Sequence, residues 1–212
     1  GPKSREVMLR LGFSAIAPLK YFQACRLQWR GADLIVSRAG YTGELGYEVF
    51  LPNELAPALW RELMAEPEVA PAGLGARDTL RLEMGYTLYG VDVDESHTTL
   101  EAGMGRFIDW DSEFNAREYL ELQRDMGRYK VRTGIRSFSR SAPRPGNEVY
   151  HDGKPVGSVT SGTYGPSVGY GIGMAYIPVE LAAAGTRLTV EPKELPVETV
   201  EFPFYRDGSL RD

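Results

Sequence analysis

The sequence predicts an α+β fold in which a region of mixed helices and strands precedes a small β-barrel. Three observations predict it. Apolar residues recur at helical spacing in the first half, glycine turns separate short alternating runs there, and from Lys130 onward short apolar runs alternate with turn residues at regular intervals. Helices interleaved with antiparallel strands favour an α+β layer over a doubly wound sheet, and regularly spaced strands favour a barrel or sandwich.

The first two predicted helices follow from apolar spacing and end signals. The first covers 4–11, with Ser4 as its N-cap and Gly12 as its stop. The second covers about 53–65, where leucines and Trp60 recur at helical spacing and predict one buried face.

A third helix is predicted over about 75–86. Its spacing puts Arg77 and Arg81 on one face, four residues apart. The acidic run 92–95 follows, and it lacks the ligand schedule of a calcium loop. We expect this run to be a solvated loop, because unpaired charges prefer water.

Two strands are predicted in the first half, at 34–36 and 47–51. A glycine-rich reversal, 40–46, joins them and contains neither a P-loop ending nor a dinucleotide fingerprint. Alternation in the second strand puts Glu48 on the face opposite Tyr47.

The second half carries the barrel signals. A charged helical connector is predicted over about 112–126, followed by strands that include 156–160 and 171–176 and by turns that include 152–153 and 161–163. The predicted domain bounds are 1–111 for the mixed region, 112–128 for the helical connector and 129–212 for the barrel.

The composition narrows the function classes. The 212 residues include 24 basic and 29 acidic side chains, a formal net charge of −5 without a local basic cluster, so we expect no nucleic-acid partner. No apolar run approaches the roughly 18 residues of a spanning helix, and the first residues lack the pattern of a signal peptide. We therefore expect no membrane partner and a cytoplasmic location.

Cysteine and histidine are scarce. The single Cys25 forms no internal disulfide and is expected to be a small core residue. His97 and His151 are too few for a three-histidine zinc site, so no metal site is predicted. Both histidines lie near turn residues and are expected to be exposed in loops.

Three residues of different chemistry remain as candidates for ligand binding: Tyr41, Glu48 and Arg77. A carboxylate receives paired hydrogen bonds from a guanidine-like heterocycle edge, a tyrosine ring gives a stacking surface, and an arginine holds a carboxylate by a fork contact. Together they suit a pterin that carries a glutamate tail. An exposed glutamate and a surface arginine ion pair would give the same pattern.

Several long motifs, in order, closely resemble the aminomethyltransferase (glycine cleavage system T-protein) family. The motifs are Ser37–Val49, Gly73–Gly85, Leu88–Gly90 with the acidic residues that follow it, Gly157–Thr163 and Ala175–Pro178. The resemblance spans nearly the whole chain.

The resemblance implies a tetrahydrofolate-dependent enzyme. Such an enzyme takes the aminomethyl group carried on the lipoyl arm of the H-protein, releases ammonia and yields 5,10-methylenetetrahydrofolate. It would lie in the cytoplasm, or in the mitochondrial matrix of a eukaryote. By the same resemblance, residues 1–111 are the remainder of a mixed α/β folate-binding region, and 129–212 are the C-terminal barrel.

The resemblance also assigns residues. Glu48 and Arg77 match the folate-contacting glutamate and arginine of the family, and Tyr41 matches the aromatic residue of the turn. Family members continue upstream of Gly1, and the aspartate central to their catalysis lies in that region. We therefore expect an N-terminally truncated chain that is inactive alone, with no catalytic residue assigned within it.

Two stretches depart from the T-protein pattern, 107–111 and 114–117, and the ending 202–205 lacks the folate-lining aromatic of the family. These departures leave two alternatives open. One is a folate-dependent demethylase of another methyl donor, such as dimethylsulfoniopropionate, dimethylglycine or sarcosine. The other is a non-catalytic folate-binding relative.

Overall fold

The computed structural model describes residues 1–211, and these form two compact units. One unit comprises Gly1–Leu80 together with the C-terminal segment that starts at Arg206, and the other comprises Arg81–Tyr205. The domain bounds of 1–111, 112–128 and 129–212 stay a prediction. The mixed helices and strands and the closed barrel confirm the predicted α+β fold class.

A three-stranded antiparallel sheet organises the first unit. Its strands, in the order β1-β2-β3, are Ala24–Trp29, Ala32–Ser37 and Glu48–Phe50. Both predicted strands are confirmed as β2 and β3, whereas β1 follows no pattern singled out in the sequence. Within β3 the half-buried Val49 lies opposite Val36, and Glu48 and Phe50 are exposed on the other face. The predicted alternation around Glu48 is therefore confirmed.

The helices of this unit lie close to their predicted positions. They are α1 (Ser4–Arg10), α2 (Ala56–Ala65), which a 3₁₀ turn at Asn53–Leu55 precedes, and α3 (Leu74–Glu83), whose last three residues belong to the second unit. Ser4 is the first helical residue and not the predicted N-cap, because its hydroxyl donates to the distant carbonyl of Leu45 at 3.0 Å. Trp60 is 57% exposed, so the buried face of α2 is narrower than predicted.

The core of the first unit lies between the sheet and the helices. Phe13, Ile16 and Leu34 are almost completely buried in it, and α2 contributes Leu59. Cys25 is half-buried and packs against this core, as predicted. Apolar side chains removed from water stabilise the sheet and hold its edge residues in place.

The second unit contains a closed six-stranded barrel with the strand order β4-β7-β6-β5-β8-β9. A helix, α4 (Arg117–Met126), precedes the barrel. It confirms the helix predicted over 112–126, which begins five residues later than predicted. The strands are β4 (Lys130–Ser137), β5 (Glu148–His151), β6 (Lys154–Gly165), β7 (Tyr170–Pro178), β8 (Arg187–Val190) and β9 (Leu195–Val200).

One predicted turn of the barrel is wrong. Residues 161–163 lie inside β6, because Gly162 pairs with Gly173 of β7. A side chain at Gly162 would place its Cβ 2.1 Å from the carbonyl oxygen of Pro143. Glycine at this position lets two backbone segments approach closely within a strand, whereas its neighbours Ser161 and Thr163 are typical of a turn.

A buried ion pair between Arg81 and Asp92 lies in the second unit. Arg81 Nη1 donates to Asp92 Oδ2 at 2.5 Å, and the two side chains are 3% and 0% exposed. The hydroxyls of Thr160 and Ser161 donate to Asp92 Oδ1 at 2.6 and 2.7 Å, and the N–H of Leu88 donates to Oδ2 at 2.9 Å. Asp92 is therefore buried, and the expectation of a solvated loop is wrong for this residue, whereas Asp94 and Glu95 of the same run are exposed.

Tyr176 of β7 belongs to the same network. Its hydroxyl donates to the backbone carbonyl of Asp92 at 2.8 Å, and the ring of His97 stacks on its ring with centroids 4.2 Å apart. His97 is half-buried by this contact, in contrast to the exposed position predicted for it. Burial raises the pKa of Tyr176 from 10.0 to about 12.

We expect this pKa to make the second unit less stable at high pH. The phenol of Tyr176 ionises near 10.0 in the unfolded chain and near 12 in the folded one, so the free energy of unfolding falls as the pH rises through that interval. Urea unfolding at several pH values measures the fall. The Tyr176→Phe variant should have a free energy of unfolding about 1 kcal/mol lower at neutral pH, because it lacks the hydrogen bond of the phenol. Since it also lacks the ionisable group, its stability should not fall between pH 10 and 12 for this reason. An identical pH profile in both proteins would contradict the prediction.

Candidate functional site

The turn 39–46, between β2 and β3, carries the predicted site residue Tyr41. Gly43 has φ +75°, a conformation that favours glycine. Within residues 1–211, no backbone N–H or carbonyl of this turn is hydrogen-bonded to another backbone group. Side chains hold it in part, since the hydroxyl of Ser4 donates to the carbonyl of Leu45.

Arg77 lies in the first half of α3, where its side chain is exposed. Its guanidinium carbon is 4.8 Å from the centroid of the Tyr41 ring, which is a cation–π contact. The backbone N–H of Arg77 donates to the carbonyl of Gly73 at 3.2 Å and fixes the start of the helix. The structure therefore brings together two of the three predicted site residues.

Glu48 is the first residue of β3 and lies opposite Ser37 of β2. Its side chain is exposed, and among the described residues it has no hydrogen bond or salt bridge. Among these residues, no hydrogen bond or salt bridge joins Glu48 to Tyr41 or Arg77. The carboxylate keeps all its lone pairs for water or for a ligand.

The chemistry of these three side chains fits a folate. The Glu48 carboxylate can accept two parallel hydrogen bonds from the amino-pyrimidine edge of a pterin. The Tyr41 ring lies against one face of the Arg77 guanidinium and leaves the in-plane N–H donors available to an anionic tail. Such groups can bind and orient a ligand.

The C-terminal segment contributes a feature that the sequence analysis missed. Gly208 and Ser209 lie against Gly43 and Glu44 of the turn that carries Tyr41. These residues are far apart in the sequence, and no periodicity or spacing relates them. The only available signal was the presence of Glu44 within the motif Ser37–Val49.

Two further properties concern membranes and metals. In residues 1–211 no helix is long and apolar enough to cross a membrane. Over the same residues, no group of three or more His, Cys, Asp or Glu side chains could hold a metal ion.

Comparison with known proteins finds two family matches. Residues 1–112 match the family described as the GCVT N-terminal domain, and residues 130–206 match the glycine cleavage T-protein C-terminal barrel domain. The two matches follow each other in the order that the fold shows, mixed region first and barrel second.

Individual relatives agree with these matches. The chain is 40% identical to an aminomethyltransferase of Nostoc over 99% of its own length and 56% of the relative's. It is likewise 40% identical to an aminomethyltransferase of Rubrobacter xylanophilus, over 97% of the chain and 55% of the relative. A crystal structure of the glycine cleavage system aminomethyltransferase T from Bartonella henselae superposes with a TM-score of 0.82 at 29% identity, covering 91% of this chain and 54% of that one. The chain thus spans little more than half the length of each.

Proposed function

Because the chain belongs to the aminomethyltransferase (glycine cleavage T-protein) family, we propose that it supplies the tetrahydrofolate-contacting part of an aminomethyltransferase. In the proposed reaction the enzyme moves a one-carbon unit from the aminomethyl-lipoyl arm of an H-protein to tetrahydrofolate, with release of ammonia. The observation that carries the proposal is the Arg77 guanidinium over the ring of Tyr41, in the turn that precedes the strand on which Glu48 is exposed without a hydrogen bond or salt bridge among the described residues.

Each of the three residues has a distinct role in the proposal. Glu48 accepts hydrogen bonds from the pterin edge and so sets the orientation of the ring system. Arg77 binds the anionic glutamate tail or the pterin edge, and Tyr41 limits the directions that its guanidinium can take. Tetrahydrofolate itself supplies the two nitrogens that receive the one-carbon unit. The contribution of these residues is thus binding and orientation of the acceptor.

The partners follow from the proposed reaction. A lipoyl-carrying H-protein delivers the aminomethyl group, and tetrahydrofolate accepts the carbon unit. Both are available in the cytoplasm of a bacterium or in the mitochondrial matrix of a eukaryote, and we place the enzyme there.

Calorimetric titration with tetrahydrofolate tests the binding roles, in the protein that contains these 212 residues. We expect Arg77→Ala and Glu48→Gln each to raise Kd roughly 10- to 100-fold, because each removes hydrogen bonds to a charged group. Arg30→Ala is the matched control, since Arg30 also lies over an aromatic ring, Trp29, in the same unit. Unchanged affinity in both site variants would contradict the proposed site.

A product assay tests the reaction itself. With aminomethylated H-protein as donor, we expect formation of 5,10-methylenetetrahydrofolate and ammonia. Product formed only with a methylated amine or sulfonium donor would indicate a folate-dependent demethylase. Folate binding without turnover of any donor would indicate a non-catalytic relative.

A further inference from the structure

The C-terminal segment is attached to the turn that carries Tyr41 through one serine and one glutamate. The N–H of Ser209 donates to Glu44 Oε2 at 2.9 Å, and the Ser209 hydroxyl donates to the same oxygen. In return, the N–H of Leu45 donates to Ser209 Oγ at 3.0 Å. Ser209 therefore satisfies one side chain and one backbone group of the turn at the same time.

Close backbone packing surrounds these hydrogen bonds. A Cβ on Gly208 would lie 2.4 Å from the carbonyl oxygen of Gly43, so this approach requires glycine. On the other side, the guanidinium of the buried Arg38 donates to the carbonyls of Leu210 at 3.3 Å and Leu19 at 3.0 Å. The segment is thereby fixed on both sides of Ser209.

The turn 39–46 depends on such contacts for its shape. Among the described residues its backbone makes no hydrogen bond to other backbone groups, and within the turn the N–H of Glu44 donates to the Thr42 hydroxyl at 3.4 Å, a long and weak hydrogen bond. A segment held by so few backbone hydrogen bonds opens locally at low cost in free energy. Ser4 and Ser209 provide the hydrogen bonds that reach Leu45 from outside the turn. Removal of one of these two supports should increase the mobility of the whole turn.

Tyr41 lies two residues before Gly43, where the C-terminal segment makes its closest approach. We propose that Ser209, together with Glu44, is a positioning residue: it holds the turn so that the Tyr41 ring stays under the guanidinium of Arg77 and presents that guanidinium to folate. This inference rests on the proposed folate site, and it assigns the segment after the barrel a role in folate binding.

A double-mutant cycle on tetrahydrofolate affinity tests the proposal in the protein that contains this chain. We expect Ser209→Ala to raise Kd roughly 10-fold, because it removes a hydrogen bond to a charged acceptor. Ser209→Thr keeps the hydroxyl and should bind tetrahydrofolate with the affinity of the unchanged protein. In an Arg77→Ala background the same serine replacement should have no further effect, because the group that it positions is gone. A merely structural role would weaken binding equally in both backgrounds.

Two further variants complete the experiment. Glu44→Gln keeps an acceptor oxygen for Ser209 and should raise Kd only about 2- to 3-fold, which keeps the proposal testable if Ser209→Ala fails to fold. Ser96→Ala is the matched control, since Ser96 also donates its N–H and hydroxyl to one carboxylate oxygen, that of Asp94, and should leave Kd unchanged.

The outcomes separate the two proposals. Unchanged affinity in both Arg77→Ala and Glu48→Gln would overturn the proposed folate site. Weakened affinity in Arg77→Ala, combined with an equal effect of Ser209→Ala in both backgrounds, would overturn the positioning role and leave the site intact.

Discussion

Asp92→Ala is expected to lower the free energy of unfolding of the second unit by about 3–5 kcal/mol. The replacement leaves the Arg81 guanidinium buried without its carboxylate, and it also removes the acceptor of the Thr160 and Ser161 hydroxyls. A buried charge that loses its partner costs more than a surface ion pair ever contributes, because water cannot replace the partner. Urea unfolding followed by circular dichroism measures the change.

Glu113→Ala is the control for this prediction. Glu113 pairs with Arg117, but its side chain is 95% exposed, so the loss of this ion pair should not measurably change the unfolding midpoint. An equal loss of stability in the two variants would contradict the prediction, because burial of the Arg81–Asp92 pair would then not determine how much it contributes to the free energy of unfolding.

Gly157→Ala is expected to destabilise the barrel by about 3 kcal/mol. The added Cβ would lie 1.9 Å from the carbonyl oxygen of Tyr176 and 3.0 Å from Ile177 Cγ2, so β6 and β7 must separate to admit it. The register that pairs Ser158 with Tyr176 lies next to this position. Thermal unfolding of the variant measures the effect.

Gly75→Ala provides the contrast. Gly75 is in α3 and has no other atom within 4 Å of its Cβ position, so alanine there should raise stability by about 0.5–1 kcal/mol through its higher helix propensity. If Gly157→Ala proved as harmless as this control, the tight pairing of β6 with β7 would be refuted.

Local sequence patterns were sufficient for much of the fold. The predicted helix over 53–65 corresponds to a 3₁₀ turn and α2, and the predicted strand around Glu48 corresponds to β3 with its outward glutamate. The barrel begins at Lys130, where the strand pattern begins. These predictions succeeded because hydrophobic period, turn residues and helix ends act over a few neighbouring residues.

For the candidate site, the sequence proposed three side chains but not how they are arranged. Residue types and family motifs singled out Tyr41, Glu48 and Arg77, and the structure adds the stacking of Arg77 on Tyr41. The support that Ser209 gives to Glu44 joins residues 165 positions apart, a separation at which no local pattern carries information.

The sequence by itself determined which segments form helices and strands, which face of β3 points outward, and the family of the chain. Only the tertiary structure decided that Arg81 and Asp92 are buried together and that the C-terminal segment lies against the turn of Tyr41. The physical reason is that charged and polar residues prefer water unless a partner satisfies them. Their partners become neighbours only when distant parts of the chain come together.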